Sequence, residues 1–273
     1  MAANRMCPHC RAFIEPKAKI CPYCDNEVGA RFRAPEPALE GTALRGLIPQ
    51  SHFTIFIMLA INFGIFVAMV ILSRKLGYDD VLGVDGRVLQ VFGAKERFSI
   101  FYAGQWWRLV SAGFLHAGVV HILMNSYVMF DLGAQVEQVF GTARFLAIYL
   151  LSSVAGFVAS LYWTPNPSVG ASAALSGLIG AMLAYGRRSG QSFVWSFYMR
   201  WVILMAVIGF FIPFIDNAAH FGGFAAGFVL GWIGASPYRS PDSETLWKAA
   251  ATLAVVLTVA SMAMAYRHIG SAL

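Results

Sequence analysis

The stretch 169–180, "VGASAALSGLIG", lies in a part of the chain apolar enough to be dissolved in lipid. It carries a serine, Ser172, framed by glycine and alanines, and a second serine, Ser176, one turn later. Two readings of Ser172 are open at this point. Small residues let membrane helices approach each other, so runs of Gly, Ala and Ser are ordinary packing surfaces. Alternatively, Ser172 is a nucleophile. The rest of the chain has to choose between them.

The chain has 273 residues, of which 58% are apolar and 12% charged. Soluble domains carry roughly a quarter charged residues. The apolar residues fall in blocks near the roughly 20 residues that cross a bilayer. This predicts an all-α polytopic membrane protein. The formal net charge is +6, but the basic residues are scattered. Contact with anionic lipid and the setting of topology account for them, and no nucleic-acid partner is expected. The opening "MAANRMCPHCRAF" lacks the apolar region of a cleavable signal, so the first apolar block is expected to act as a signal-anchor.

All four cysteines lie in the first 24 residues, as "CPHC" (Cys7, Cys10) and "CPYC" (Cys21, Cys24). Two CxxC turns can converge four thiolates on one tetrahedral metal, the pattern of a small zinc ribbon. His9 could substitute as a ligand, but four thiolates suffice. So short a segment cannot bury a core of its own, and structural zinc would supply its folding energy. The rivals are paired disulfides or a redox CxxC, and the latter normally occurs singly beside a βαβ pattern. A closed shell has no open position, so this metal is not expected to act in catalysis. The expected division is a metal-binding segment at 1–28, a Pro-bearing linker at 29–50, a membrane core at 51–236 and a further helix within 237–273.

Seven spans are expected, at about 52–73, 116–138, 143–163, 170–186, 193–213, 217–236 and 246–266. The segment 74–115, with aromatics and isolated charges, is expected to lie in the membrane surface. Short loops on one side carry Arg144, Arg187, Arg188, Arg239 and Lys248, while "TPNPS" and "IPFID" carry no basic residue. The positive-inside rule then puts the amino terminus in the cytoplasm, where reduced thiols favour zinc. A plasma (inner) membrane of a bacterium is the expected location. The fourth and sixth spans start on the same outer side, which brings Ser172 and His220 to one face. The fourth has about 17 residues, near 25 Å, and falls short of the roughly 30 Å hydrocarbon core. Ser172 should therefore lie below the outer surface.

Ionisable residues inside spans are costly and point to function. The second span opens "HAGVVHILMN" (His116, His121, Asn125), and His121 and Asn125, four apart, share a helix face. The sixth opens "DNAAHFGGFAAGFVLG" (Asp216, Asn217, His220), followed by Gly223, Gly227 and Gly231 in two overlapping GxxxG repeats. Each has a bland account: a histidine bonded across helices, a proton or metal path, an Asp216 N-cap. With Ser172 they form a narrower set, a nucleophile and a base on facing helices plus neutral donors, as acyl transfer requires.

The chain resembles the rhomboid family of intramembrane serine proteases over about 52–236. The residues that carry the resemblance are "WWRLVSAGFLH" (Trp107, Arg108), "HAGVVHILMN", "GAQVEQVFG" (Gly133, Glu137, Gly141), "GASAALSGLIGA" and "AHFGGFAAG". No one of these motifs is specific; their order along the spans is. The resemblance implies a six-helix core plus one added C-terminal helix. It also implies cleavage of transmembrane segments of single-span proteins by a Ser–His dyad with no catalytic cofactor. By resemblance Ser172 is the nucleophile and His220 its base, while His121 and Asn125 help the Ser172 backbone N–H hold the oxyanion. The alternative is a rhomboid-like protein that binds transmembrane segments without cutting them. Two positions depart from the family pattern. Ala173 replaces the glycine usual after the serine, and its extra methyl could crowd the facing glycines of the sixth span or the substrate. Ser176 replaces an aromatic residue that in many members stacks on the histidine.

Overall fold

The computed structural model describes residues 5–7, 13–15, 18–23, 28, 42–43, 48–49, 52–80, 82–212, 214–235 and 241–272. The chain divides into two compact units, Met1–Phe53 and Thr54–Leu273.

In the first unit, β1 (Arg5–Met6) pairs antiparallel with β2 (Phe13–Ile14), and β3 (Thr42–Ala43) with β4 (Ile48–Pro49). Cys7 and Cys21, one from each CxxC turn, are buried in one small cluster with Ile14 and Val28. Cys10, Cys24 and His9 lie outside the described residues, as does most of the expected linker. Among the described residues no group of three or more His, Cys, Asp or Glu could hold a metal.

The second unit is helical. Its long helices are α1 (Phe53–Lys75), α7 (Thr142–Trp163), α8 (Ser172–Arg188), α9 (Ser192–Phe211), α10 (Asn217–Gly234) and α11 (Pro241–Ala272). Between α1 and α7 the chain forms α2 (Gly86–Phe92), α3 (Arg97–Phe101), α4 (Arg108–Ser111), α5 (Val119–Val128) and α6 (Ala134–Phe140). Four helices, α1, α7, α9 and α11, are long and apolar enough to cross a bilayer. The other three expected spans are helical but shorter or interrupted. A π-helical turn, Met129–Gly133, separates α5 from α6, α8 has 17 residues and α10 has 18.

Helix α8 is the centre of the unit. From Ala173 to Ala184 every side chain is buried, against α7, α9 and α10. Its composition allows this. Gly223, Gly227 and Gly231 of α10 face Ala173, Gly177 and Ala181 of α8, and a methyl on any of the three glycines would fall on α8 backbone. The four-residue step is the same on both helices, so the two backbones stay in contact along their length. Lipid gives no hydrophobic drive for such contact; close packing of small residues supplies it.

The segment before α5 is built from short capped helices. Asp85 caps α2 by accepting from Arg87 N at 2.7 Å, and Glu96 caps α3 by accepting from Phe98 N and Ser99 N. Gly93 ends α2 at φ 105°, and a side chain there would run into the Trp107 ring. Arg108 is buried, donating from Nη1 to Gln90 O and Ala94 O and from Nε to Gln105 Oε1. It thereby ties α2 to α4. The last turns of α11 close this side, His268 packing on Trp107 at 5.7 Å; at the other end of α11, Glu244 accepts two bonds from Arg144 of α7, of 2.9 and 2.7 Å.

Candidate active site

Ser172 is the first residue of α8. A residue there has no preceding turn to take its backbone N–H, and the positive end of the helix dipole lies beside it. One turn into α10, His220 faces it, with Nε2 2.8 Å from Ser172 Oγ. The glycine ladder between α8 and α10 sets that distance, because it fixes how close the two helix starts can come.

His220 is oriented by its helix and not by a carboxylate. Its Nδ1 is buried and has no hydrogen-bond partner among the described residues. Asp216, one turn earlier, is spent elsewhere: Oδ1 accepts from Ala219 N at 3.0 Å and Oδ2 from the Ser160 hydroxyl. It is the helix cap that the sequence suggested, and it anchors the start of α10 to α7.

His121 comes to the same place from α5, with Asn125 one turn further along that helix. A methyl at Gly170 (φ 126°) would lie 2.7 Å from His121 Nε2 and 3.6 Å from Ser172 Oγ, so ring and hydroxyl flank one point. Ala117 N–H points at His121 Nδ1, at 3.4 Å. With Nδ1 as acceptor, the neutral ring carries its proton on Nε2, the nitrogen turned toward Ser172. Asn125 is buried and donates one Nδ2 hydrogen to His121 O at 2.8 Å, leaving the second available. His116 packs edge-on against the His121 ring at 5.1 Å.

Ser176 is directed away from this chemistry. Its hydroxyl lies 2.7 Å from Ser172 O, one turn back, and 3.0 Å from Met205 Sδ. Ala173 also behaves differently from expectation. Its methyl lies against Gly156 of α7 and Ala219, whereas Gly223 meets the Ala173 backbone. It is therefore the Ala173 backbone, and not its methyl, that Gly223 meets. Sequence reasoning missed Gly156, Ser160 and the Ala117 amide. Gly170, the first residue of the Ser172 motif, was noted only as part of its small-residue frame.

Together these groups can carry out acyl transfer: a hydroxyl against an imidazole, with neutral donors grouped on one side. Residues 103–237, which hold all four side chains, match the family described as Rhomboid domain. Over that stretch the chain is similar to the rhomboid family. Over 167 residues it is 34% identical to Rhomboid protease GluP of Bacillus subtilis (strain 168), covering 60% of this chain and 33% of that protein. It is 35% identical over 164 residues to RHOMBOID-like protein 4 of Arabidopsis thaliana, covering 56% of this chain and 40% of the relative. Inactive RHOMBOID-like protein 8 of the same plant is 32% identical over 161 residues, covering 55% and 44%. The chain thus spans between a third and a half of these relatives. The rhomboid-domain match and the four apolar helices support an integral membrane protein.

Proposed function

We propose that this protein is an intramembrane serine endopeptidase that cleaves transmembrane segments of single-span membrane proteins. The observation that carries the reading is the 2.8 Å approach of His220 Nε2 to Ser172 Oγ. Ser172 Oγ attacks the scissile carbonyl carbon and its proton passes to His220 Nε2. The oxyanion so formed is held by the Ser172 backbone N–H, His121 Nε2–H and the spare Asn125 Nδ2–H. His220 then protonates the departing amine, leaving an acyl group on Ser172. Water, deprotonated by His220, attacks that ester, and the proton returns to Ser172. Nucleophile and base both come from the chain, so the proposed chemistry needs no catalytic cofactor.

A non-catalytic rhomboid-like binding protein is the second reading, favoured by a similar relative whose name marks it inactive. Both reacting groups are present here and in contact, which supports the enzyme. Seven spans with a cytoplasmic amino terminus, in a bacterial plasma membrane, complete the proposal. In the first unit, burial of Cys7 and Cys21 in one cluster fits a thiolate site for structural zinc, with Cys10 and Cys24 as the further ligands. Zinc there would supply folding energy to a segment with a very small core.

The test is cleavage of a generic single-span substrate by purified protein in detergent. Wild type should cut it, and Ser172→Ala and His220→Ala should each be inactive while staying folded, because nucleophile and base act as a unit. Wild-type activity in Ser172→Ala would show the choice of nucleophile to be wrong.

A further inference from the structure

The loop 164–171 that delivers Ser172 is held by a part of the chain that the dyad does not account for. Lys95 sits between α2 and α3, and its side chain is wholly buried, at 0% exposure. Its Nζ donates to Thr164 O and to Asn166 O, each at 2.9 Å. Its backbone exchanges two bonds with Ser168, each of 3.0 Å. Two residues on, Arg97 donates from Nε to Leu161 O and from Nη2 to Tyr162 O, each at 2.8 Å. These carbonyls end α7, where no helical partner remains and the dipole favours a cation. Nearer the nucleophile, Gly170 N donates to Ala112 O at 2.9 Å.

The loop needs such help. Pro165 and Pro167 have no N–H, so much of it can be held only through its carbonyls. Residues 165–167 are exposed, yet the ammonium that grips them from below is not. An apolar side chain of similar length would cover the same surface without the cost of burying a charge. What it could not do is bind two carbonyls at once. Burial lowers Lys95 to about 8, with Asp216 and Glu96 favouring its charge and Arg97 opposing it. The group therefore still carries its proton at neutral pH, and its bonds are of the stronger, charge-assisted kind.

We propose that Lys95, seconded by Arg97, is a positioning residue for the nucleophile, clamping the loop 164–171 so that Ser172 Oγ stays opposite His220. The proposal rests on the proteolytic reading and deepens it.

An alkyl fluorophosphonate tests it, because the probe reacts at the serine without a transmembrane segment having to dock. Ser172 Oγ bonds to phosphorus, fluoride leaves, and the hydroxyl proton passes to His220. Rates are measured on the full chain in detergent and normalised to the folded fraction. Lys95→Met should label about tenfold more slowly or worse, and Arg97→Ala about threefold more slowly, as small misplacements of reacting atoms are costly. With a single-span substrate, kcat should fall in proportion while KM stays put. A merely structural role would lower the folded fraction and leave the normalised rate alone. Normalised rates equal to wild type in both variants overturn the proposal; if Lys95→Met does not fold, Arg97→Ala decides. Failure of the proteolytic reading looks different: wild type would then label no faster than Ser172→Ala.

Discussion

The methyl group of Ala173 packs against Gly156 of α7, where a side chain would come within 2.8 Å of it. The residue after the nucleophile thus has its own place between α7 and α8. Ala173→Gly should therefore leave the cleavage rate within about threefold of wild type, and cost roughly 1 kcal/mol through glycine's poor helix propensity. Gly156→Ala should do more harm, since its methyl would also press on Ala219 O, next to His220. A loss of about 1–3 kcal/mol and a slower enzyme are expected. The double variant should recover part of the loss, read as a coupling between the two sites in thermal unfolding. Strict additivity would mean that the pair does not interact.

Asn125→Ala should lower kcat by roughly 10²–10³ if its spare hydrogen serves the oxyanion. Binding of substrate should change little. Steady-state kinetics separate the two, and a rise in KM with kcat intact would count against the assignment. His121→Ala is a less clean probe, because the ring also packs against His116 and Gly170.

Lys95 makes the stability of the membrane domain depend on pH. Its folded-state value of about 8 lies below the ordinary 10.5, with burial as the main cause. Between those values the unfolded chain binds more protons than the folded one, so stability rises with pH across the window. Below pH 8 the full burden is present. In detergent, the melting temperature of wild type should climb from pH 8 to 10 relative to Lys95→Met. Parallel curves for the two proteins would rule out this origin.

Metal analysis of the intact protein should find about one zinc per chain, lost when Cys7 and Cys10 are changed to serine. All four proposed catalytic side chains lie in the second unit, so deletion of residues 1–50 should leave cleavage of a generic substrate largely intact. If verified removal of zinc stopped proteolysis while the membrane domain stayed folded, the metal would have a catalytic or allosteric part, contrary to this reading.

Much of the site was legible because its residues are anomalies in their surroundings. Ser172, His121, Asn125 and His220 stand out because polar groups are costly in lipid, and the GxxxG steps around Gly223 mark a close helix contact by composition alone. The apolar blocks likewise announced helices, and Asp216 could be read as a cap from its place before one. What the sequence determined, then, is which residues are available to react and which helix faces must meet.

Whether they do meet was decided by the tertiary structure. Contact between Ser172 and His220 depends on the register in which α10 lies on α8, and nothing local specifies the pairing of Gly227 with Gly177. Ser172 and Ser176 are similar in the sequence; the helix start and the His220 contact at Ser172, and the bond from Ser176 to the Ser172 carbonyl, tell them apart. The direction of the Ala173 methyl turned on Gly156, a residue on another helix. The second span runs as continuous helix over 119–140, near its expected 116–138, but apolar composition does not reveal the π turn at Met129–Gly133 within it. Lys95 was invisible for a related reason. A lysine in an irregular segment reads as solvent-exposed, and its burial is created by the distant loop whose carbonyls it binds.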